Sequence, residues 1–265
     1  MKASVGESEN RAGSGLMDSA PESTRRAAQP SRSPKQRRTK RRTGPPRPHL
    51  ILFLAANPSG TTRLALDEEC AAIEREIRLA PGRDDFDFRS RWAVSADEML
   101  RCLNEWQPTI IHFSGHGSGG GLHVHDQPPP RTVRDVEIAE GSGVHRRPLY
   151  VSGPALAKMI ASAAPSARIV VLNACFSEAV AESLCEAVNC VVSMNGAVGD
   201  DAARCFAVGF YGALGNRRSV GNAVAQGVAL LAANQLPDEH RPVCRTRDGI
   251  DADQVYLLRP GVRRP

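Results

Sequence analysis

Two apolar, β-branched runs that stop abruptly at a reactive side chain constrain this chain more than any other feature. One is Ile110-Ile111-His112-Phe113-Ser114-Gly115-His116-Gly117, and the other is Ile169-Val170-Val171-Leu172-Asn173-Ala174-Cys175. Runs of this kind suit strands of a parallel sheet buried on both faces. In an open α/β sheet the ligand site lies outside the carboxyl ends of the strands. The two runs therefore predict an imidazole, His116, and a thiol, Cys175, at one sheet edge. A thiolate is the attacking form of a cysteine nucleophile, and a nearby imidazole can take its proton. Alone, His116 reads equally well as a polar strand end, and Cys175 as a small buried apolar residue. At matching ends of two buried strands they read as a catalytic pair.

The elements around them predict the sheet. His49 to Ala56 is a buried strand closed by Asn57-Pro58-Ser59-Gly60. Leu64 to Leu79 follows as a helix whose stripe carries Leu64, Ile73 and Ile77, and Pro81-Gly82 stops it. Phe86 to Val94 alternates and reads as a strand nearer the sheet edge. Ser95 is an N-cap for a helix over Ala96 to Trp106, with Glu98 at capping-box distance. Pro108 ends that helix and the His116 strand comes next. Ser152-Gly153-Pro154 then opens a helix to about Ala163, and Ser177 begins one carrying Val180, Leu184 and Val188. Cys190 to Met194 is a fifth strand, helices follow near 201–214 and 219–234, and Val255 to Leu258 reads as an edge strand. Strands alternating with helices predict an α/β fold over 49–259: a doubly wound, mostly parallel sheet of five to six strands with helices on both faces.

Charge divides the chain differently. Residues 1–48 hold 12 Lys and Arg against 4 Asp and Glu, out of 34 and 29 in the whole chain. The remaining 22 against 25 leave the predicted domain slightly acidic, so the basic balance belongs to the leader. That leader is rich in Ser, Pro, Gly and Arg and poor in large apolar residues, a composition expected to be disordered. Its run Lys35-Gln36-Arg37-Arg38-Thr39-Lys40-Arg41-Arg42 suits contact with nucleic acid, acidic lipid or an acidic partner, or simple solvation. It contains no aromatic residue for base stacking. No signal-peptide pattern follows it, and no apolar run approaches the roughly 20 residues of a membrane span. Seven cysteines, an odd number without a CxxC pair, argue against a disulfide framework and leave six of them structural. A cytoplasmic protein is the expectation.

Between the two strands, Ser118-Gly119-Gly120-Gly121 lacks the Gly-Lys-Ser/Thr ending of a phosphate loop and reads as a flexible turn. His123 and His125 are spaced to share a face of an extended segment, which suits zinc, but no third ligand is suitably spaced. Surface positions on a hairpin are the simpler reading. Residues 126–148, with Pro128-Pro129-Pro130 and Glu140-Gly141-Ser142-Gly143, form an irregular loop: an insertion over the site, a segment cut on activation, or an inert connection. Residues 260–265 are a short tail.

The Ser-Gly-His-Gly and Asn-Ala-Cys pair, His first by about sixty residues, resembles the caspase-like cysteine peptidases, in which His also precedes Cys. Within them the chain is most similar to the bacterial CHAT group over about residues 49–235. Ile51 to Pro58, Leu66-Asp67-Glu68-Glu69, Val198-Gly199-Asp200, Phe206 and Phe210-Tyr211 extend the likeness. The resemblance implies a cysteine endopeptidase working through a His116/Cys175 dyad, with no cofactor or metal. For that chemistry the backbone N–H groups of Gly117 and Cys175 are the natural oxyanion donors, and the dipole of the helix after Cys175 would help hold the thiolate. Asn173, two before the nucleophile, falls where such peptidases line the first substrate pocket. Asp200 either supplies negative charge to that pocket, favouring a basic residue, or is an N-cap for the next helix. His112, inside the strand, reads as a satisfied core histidine. The implied partners are a protein or peptide substrate, with an activating sensor protein in trans or a homodimer. Two other readings stand beside this: an inactive caspase-like module acting as an interaction scaffold, and a cysteine amidase on small molecules.

Overall fold

The computed structural model describes residues 47–126 and 148–259. The leader to residue 46, the irregular loop over 127–147 and the tail from residue 260 lie outside the described residues, and so do the expectations made for them.

Strands β1 (His49–Ala56), β2 (Phe86–Arg91), β3 (Ile110–Gly115), β7 (Ile169–Asn173), β8 (Cys190–Met194) and β9 (Pro242–Thr246) form one sheet of six in the order β2-β1-β3-β7-β8-β9. Every neighbouring pair is parallel except β8 with β9. Successive side chains on a strand point to opposite faces, and here both faces are buried. Ile51, Phe53, Ala55, Ile110, Ile169 and Val171 meet α1 (Leu66–Leu79) and the pair Asp200–Gly215 and Val220–Ala233, which become α5 and α6 below. Leu52, Leu54, Ile111, Phe113, Val170 and Leu172 meet α2 (Ala96–Trp106), α3 (Gly153–Ala163) and α4 (Glu178–Leu184). A side chain such as Phe53, wholly buried, contributes roughly 1.5–3 kcal/mol over leaving it exposed. The doubly wound α/β reading is the observed fold.

Local signals set most boundaries. Ser95 caps α2 by accepting the Glu98 N–H at 3.3 Å, and Ser152 caps α3 by accepting that of Ala155 at 3.4 Å. Gln107, in the left-handed region at φ 48°, ends α2 one residue before Pro108. Helix α1 begins at Leu66, so Leu64 belongs to the loop before it, and α4 stops at Leu184, before Val188.

The edge strand differs from the reading. Val255 to Leu258 is not a strand; Val255, Leu257 and Leu258 pack as irregular chain on the α1/α6 core. The Val220 N–H holds the Val255 carbonyl at 2.9 Å, and His49 Nε2 donates to the Leu257 carbonyl at 2.9 Å. Those apolar residues are buried by helices rather than by a sheet neighbour, which is why their pattern imitated a strand. The true edge, β9, is half-buried along its length and carries Arg245, which reaches Glu178 on α4 at 2.5 Å.

A second sheet, absent from the sequence reading, joins β4 (Gly117–Ser118), β5 (Gly121–Val124) and β6 (Leu149–Ser152) antiparallel in that order. Gly119 and Gly120 form its first turn with φ of 50° and 98°. Positive φ at both central residues is what a two-residue hairpin turn of the right twist requires, so these glycines serve the turn.

Candidate active site

The order β2-β1-β3 means that the chain leaves β1 to one side and returns on the other. Carboxyl ends diverge at such a switch point and leave a crevice. Here the β1–α1 loop and the segment from Val198 to Asp200 flank the ends of β3 and β7. Between them is a narrow pocket of about 100 Å³ whose lining includes His116, Asn173, Cys175 and Asp200. Four side chains expected at the site are thus brought together.

His116 follows β3 directly. Its Nε2 lies 2.7 Å from the Thr62 carbonyl oxygen. A carbonyl can only accept, so Nε2 carries the hydrogen and Nδ1 is left as the proton-accepting nitrogen. The Thr62 loop is itself held: oriented to satisfy both its ends, the Asn57 amide donates to the Thr62 carbonyl at 3.2 Å and accepts the Leu64 N–H at 3.1 Å. Neither contact was foreseen, because a backbone carbonyl leaves no sign in a sequence. The Asn57-Pro58 pair at a strand end was the available hint. His123, on β5, takes a 2.6 Å hydrogen bond with Ser118 and an edge contact with Tyr150. Burial, and then the nearby His116, push its pKa down.

Cys175 follows β7 by two residues. The Val198 N–H points at Sγ from 3.4 Å, and Sγ lies 3.7 Å from the Val198 carbonyl. The turn after Cys175 is pinned. Phe176 N–H donates to the Gly196 carbonyl, Ser177 N–H donates to that of Met194, and Ser177 Oγ accepts the Met194 N–H at 3.0 Å. Phe176 has φ 53°, a strained value for a bulky residue and of the kind that gathers at functional turns. Among the described residues, no backbone carbonyl receives the Cys175 N–H. Helix α4 starts only at Glu178, has seven residues, and its Ser177 makes no capping bond. The expected aid from this helix is therefore unsupported.

Gly117 packs directly on the Cys175 backbone. A Cβ there would fall 2.5 Å from the Cys175 carbonyl oxygen and 3.2 Å from the Ala174 Cβ, so no side chain fits. The His123 N–H bonds to the His116 carbonyl at 3.0 Å, which makes 116/123 the hydrogen-bonded pair of the hairpin. Alternation then makes 117/122 the non-bonded pair, and the Gly117 N–H points away from β5. Among the described residues no hydrogen bond joins His116 to Cys175. Catalytic hydrogen bonds are often long before substrate arrives.

Under the pocket lies a network anchored on Glu69 of α1, only 4% exposed. Parallel pairing puts Ser114 directly opposite Asn173, on the sheet face that α1 covers. Glu69 Oε2 accepts the Ser114 hydroxyl at 2.5 Å, and Oε1 accepts Asn173 Nδ2 at 2.5 Å and His112 Nε2 at 2.8 Å. His112, wholly buried and stacked on Phe53 at 5.0 Å, has Tyr211 Oη 3.0 Å from its Nδ1. It is the satisfied core histidine expected. Asn173 Nδ2 also donates to the Ala203 carbonyl at 3.0 Å. Asp200 is the first residue of α5, with Gly199 at the cap, and its Oδ2 accepts the Ala65 N–H at 2.9 Å. The N-cap alternative for Asp200 is thereby corrected: it ties the β1–α1 loop to α5. Glu69 itself went unrecognised. The signal was there, because Leu66, Glu69, Ile73 and Ile77 share one helix face, which puts a carboxylate on the apolar stripe.

Fold and pocket together define an open α/β protein with an imidazole and a thiol at its switch point. The chain matches the CHAT domain family over residues 16–244 and belongs to that family. It is 28% identical over 195 residues to a Roc-COR-CHAT protease from an unidentified prokaryotic organism, covering 71% of this chain and 17% of that protein. It is also 28% identical over 78 residues to a probable protease of Gillisia limnaea, covering 29% of this chain and 14% of that one. The chain thus spans less than a fifth of the length of these relatives. Among solved structures, a secreted C11 cysteine protease from Bacteroides thetaiotaomicron, bound to an irreversible peptide inhibitor, aligns with a TM-score of 0.48 and 12% identity. That alignment covers 70% of this chain and 59% of the other.

Proposed function

We propose that this chain is a cysteine endopeptidase of the caspase-like CHAT type, acting through a His116/Cys175 dyad. The observation that carries the reading is the shared pocket of His116 and Cys175, each held by backbone groups of a neighbouring loop. The naming of two partial relatives as proteases adds to it.

In this mechanism Cys175 gives its proton to His116 Nδ1 and Sγ attacks the scissile carbonyl carbon. The oxyanion that forms is stabilised by the N–H groups of Gly117 and Cys175; such a donor is commonly worth about 10²–10³ in rate. His116 then protonates the leaving amine as the C–N bond breaks, which leaves a thioester on Cys175. Water, deprotonated by His116, attacks the thioester, and the thiolate departs with the proton returning to it. The Thr62 carbonyl keeps Nε2–H in place throughout, so every proton transfer uses one nitrogen. Asn173 and Asp200 line the pocket for the first substrate side chain. A sensor protein or a second copy of the chain that brings His116 and Cys175 closer would make the enzyme a regulated effector.

Cleavage of a mixed peptide library, read by mass spectrometry, tests this. Cys175→Ala and His116→Ala should each lower turnover by roughly 10⁴-fold or more. Undiminished cleavage by Cys175→Ala would overturn the assignment of the nucleophile.

A further inference from the structure

The pocket beside Cys175 sets carboxylate and amide groups, Glu69, Asp200 and Asn173, among apolar walls such as Leu64, Leu66 and Val198. Two carboxylates, Glu69 and Asp200, are among its lining residues, and among the described residues no Lys or Arg lines it. Glu69 already receives three donors from Ser114, Asn173 and His112. A carboxylate has about four lone-pair sites, so these three donors leave one unfilled. Asn173 uses its Nδ2 on Glu69 and the Ala203 carbonyl, and its Oδ1 is buried with no partner among the described residues. Turning that amide over cannot relieve this, because Oδ1 would then face two acceptors. Asp200 accepts the Ala65 N–H on one oxygen, Oδ2, which leaves the other for a ligand. Among the described residues, the pocket lining thus leaves Asn173 Oδ1 without a donor and two carboxylates without a Lys or Arg partner in that lining.

We infer that this pocket takes a cationic substrate side chain, arginine or lysine, next to the bond that Cys175 attacks. The inference rests on the peptidase reading for its location, and on the acceptor count for its chemistry. A guanidinium or ammonium supplies the donor that Asn173 Oδ1 lacks and offsets the two carboxylates. An apolar side chain would seal Glu69 and the orphaned oxygen away from water without a partner, which is costly. An acidic side chain would add a third like charge. The charge that selects the substrate comes chiefly from α1 and α5, through Glu69 and Asp200, rather than from the neutral residue two before the cysteine.

The test is binding without chemistry. Cys175→Ala protein is titrated with fluorescent hexapeptides that differ only in Arg, Lys, Leu or Asp at the first position, read by anisotropy. Charge-assisted hydrogen bonds of this kind predict about 10–100-fold tighter binding of the Arg and Lys peptides than of the Leu peptide, with the Asp peptide weakest. Adding Asp200→Asn, which keeps an acceptor for the Ala65 N–H, should shrink the Arg-over-Leu ratio severalfold. Raising salt from low to high concentration should do the same without any second mutation, which keeps the test decisive if that variant misfolds. Equal or better binding of the Leu peptide, a ratio indifferent to both Asp200→Asn and salt, or binding of no peptide would overturn the inference. A basic preference in binding, together with no cleavage by the unmutated protein, would leave the pocket's chemistry supported and overturn the peptidase reading instead.

Discussion

Glu69 shows how one buried side chain can hold a site together. Its two oxygens gather donors from β3 and β7, and it sits on a helix face otherwise given to the core. Glu69→Ala leaves three buried donors without their acceptor, each costing roughly 1–3 kcal/mol. Urea denaturation should show a loss of roughly 3 kcal/mol or more, and an unchanged midpoint would mean that the network relaxes elsewhere. Gly117 is the opposite case, a position defined by what it cannot carry. Gly117→Ala pushes a methyl group into the Cys175 backbone, so turnover should fall about 10²-fold while circular dichroism stays unchanged. At this scale the sequence was readable wherever the acting group is a side chain at a strand end: His116, Asn173 and Cys175 all meet one pocket. It was silent on Thr62, whose carbonyl orients His116, because backbone groups are common to every residue.

The alternation of β3 and β7 is the element-scale fact from which the site follows. One face of each strand is wholly apolar, and the other interrupts its apolar run with His112 and Ser114 on β3 and Asn173 on β7. Three polar residues on one buried face require a common partner, and α1 delivers it. The core strands were legible because burial on both faces demands unbroken apolar runs. The edges were not. Strand β9 is half-buried and short, while the apolar Val255 to Leu258 segment finds its burial against helices. The same elements sort the cysteines. Burial pushes the thiol of Cys70 on α1 up to about 11, and raises those of Cys102, Cys185 and Cys205. These four should stay protonated at pH 7. Brief treatment with iodoacetamide followed by peptide mapping should therefore find Cys175 modified well before any of them. Labelling that favoured one of these four would contradict the burial argument.

At the scale of the whole molecule, His49 closes the described domain by joining the first strand to the last segment through the Leu257 carbonyl. Burial lowers its pKa, outweighing the hydrogen bond that would raise it. The unfolded chain takes up a proton near pH 6.5 and the folded one resists, so below that pH unfolding is favoured by proton binding. Stability is complete above about pH 6.5 and declines as pH falls toward the lowered value. His123 acts in the same direction. His49→Gln, which keeps a donor for Leu257, should flatten the acid side of a plot of urea midpoint against pH from 5 to 8. An unchanged slope would place the acid sensitivity elsewhere. The central claim remains chemical: His116 and Cys175 act as one unit at the switch point of the sheet. The most direct measurement is covalent labelling with a peptide acyloxymethyl ketone, with the adduct mapped in the unmutated protein, Cys175→Ala and His116→Ala. The account predicts one adduct, on Cys175, that is lost in Cys175→Ala and much reduced in His116→Ala. Labelling spread over several cysteines and indifferent to His116 would contradict it.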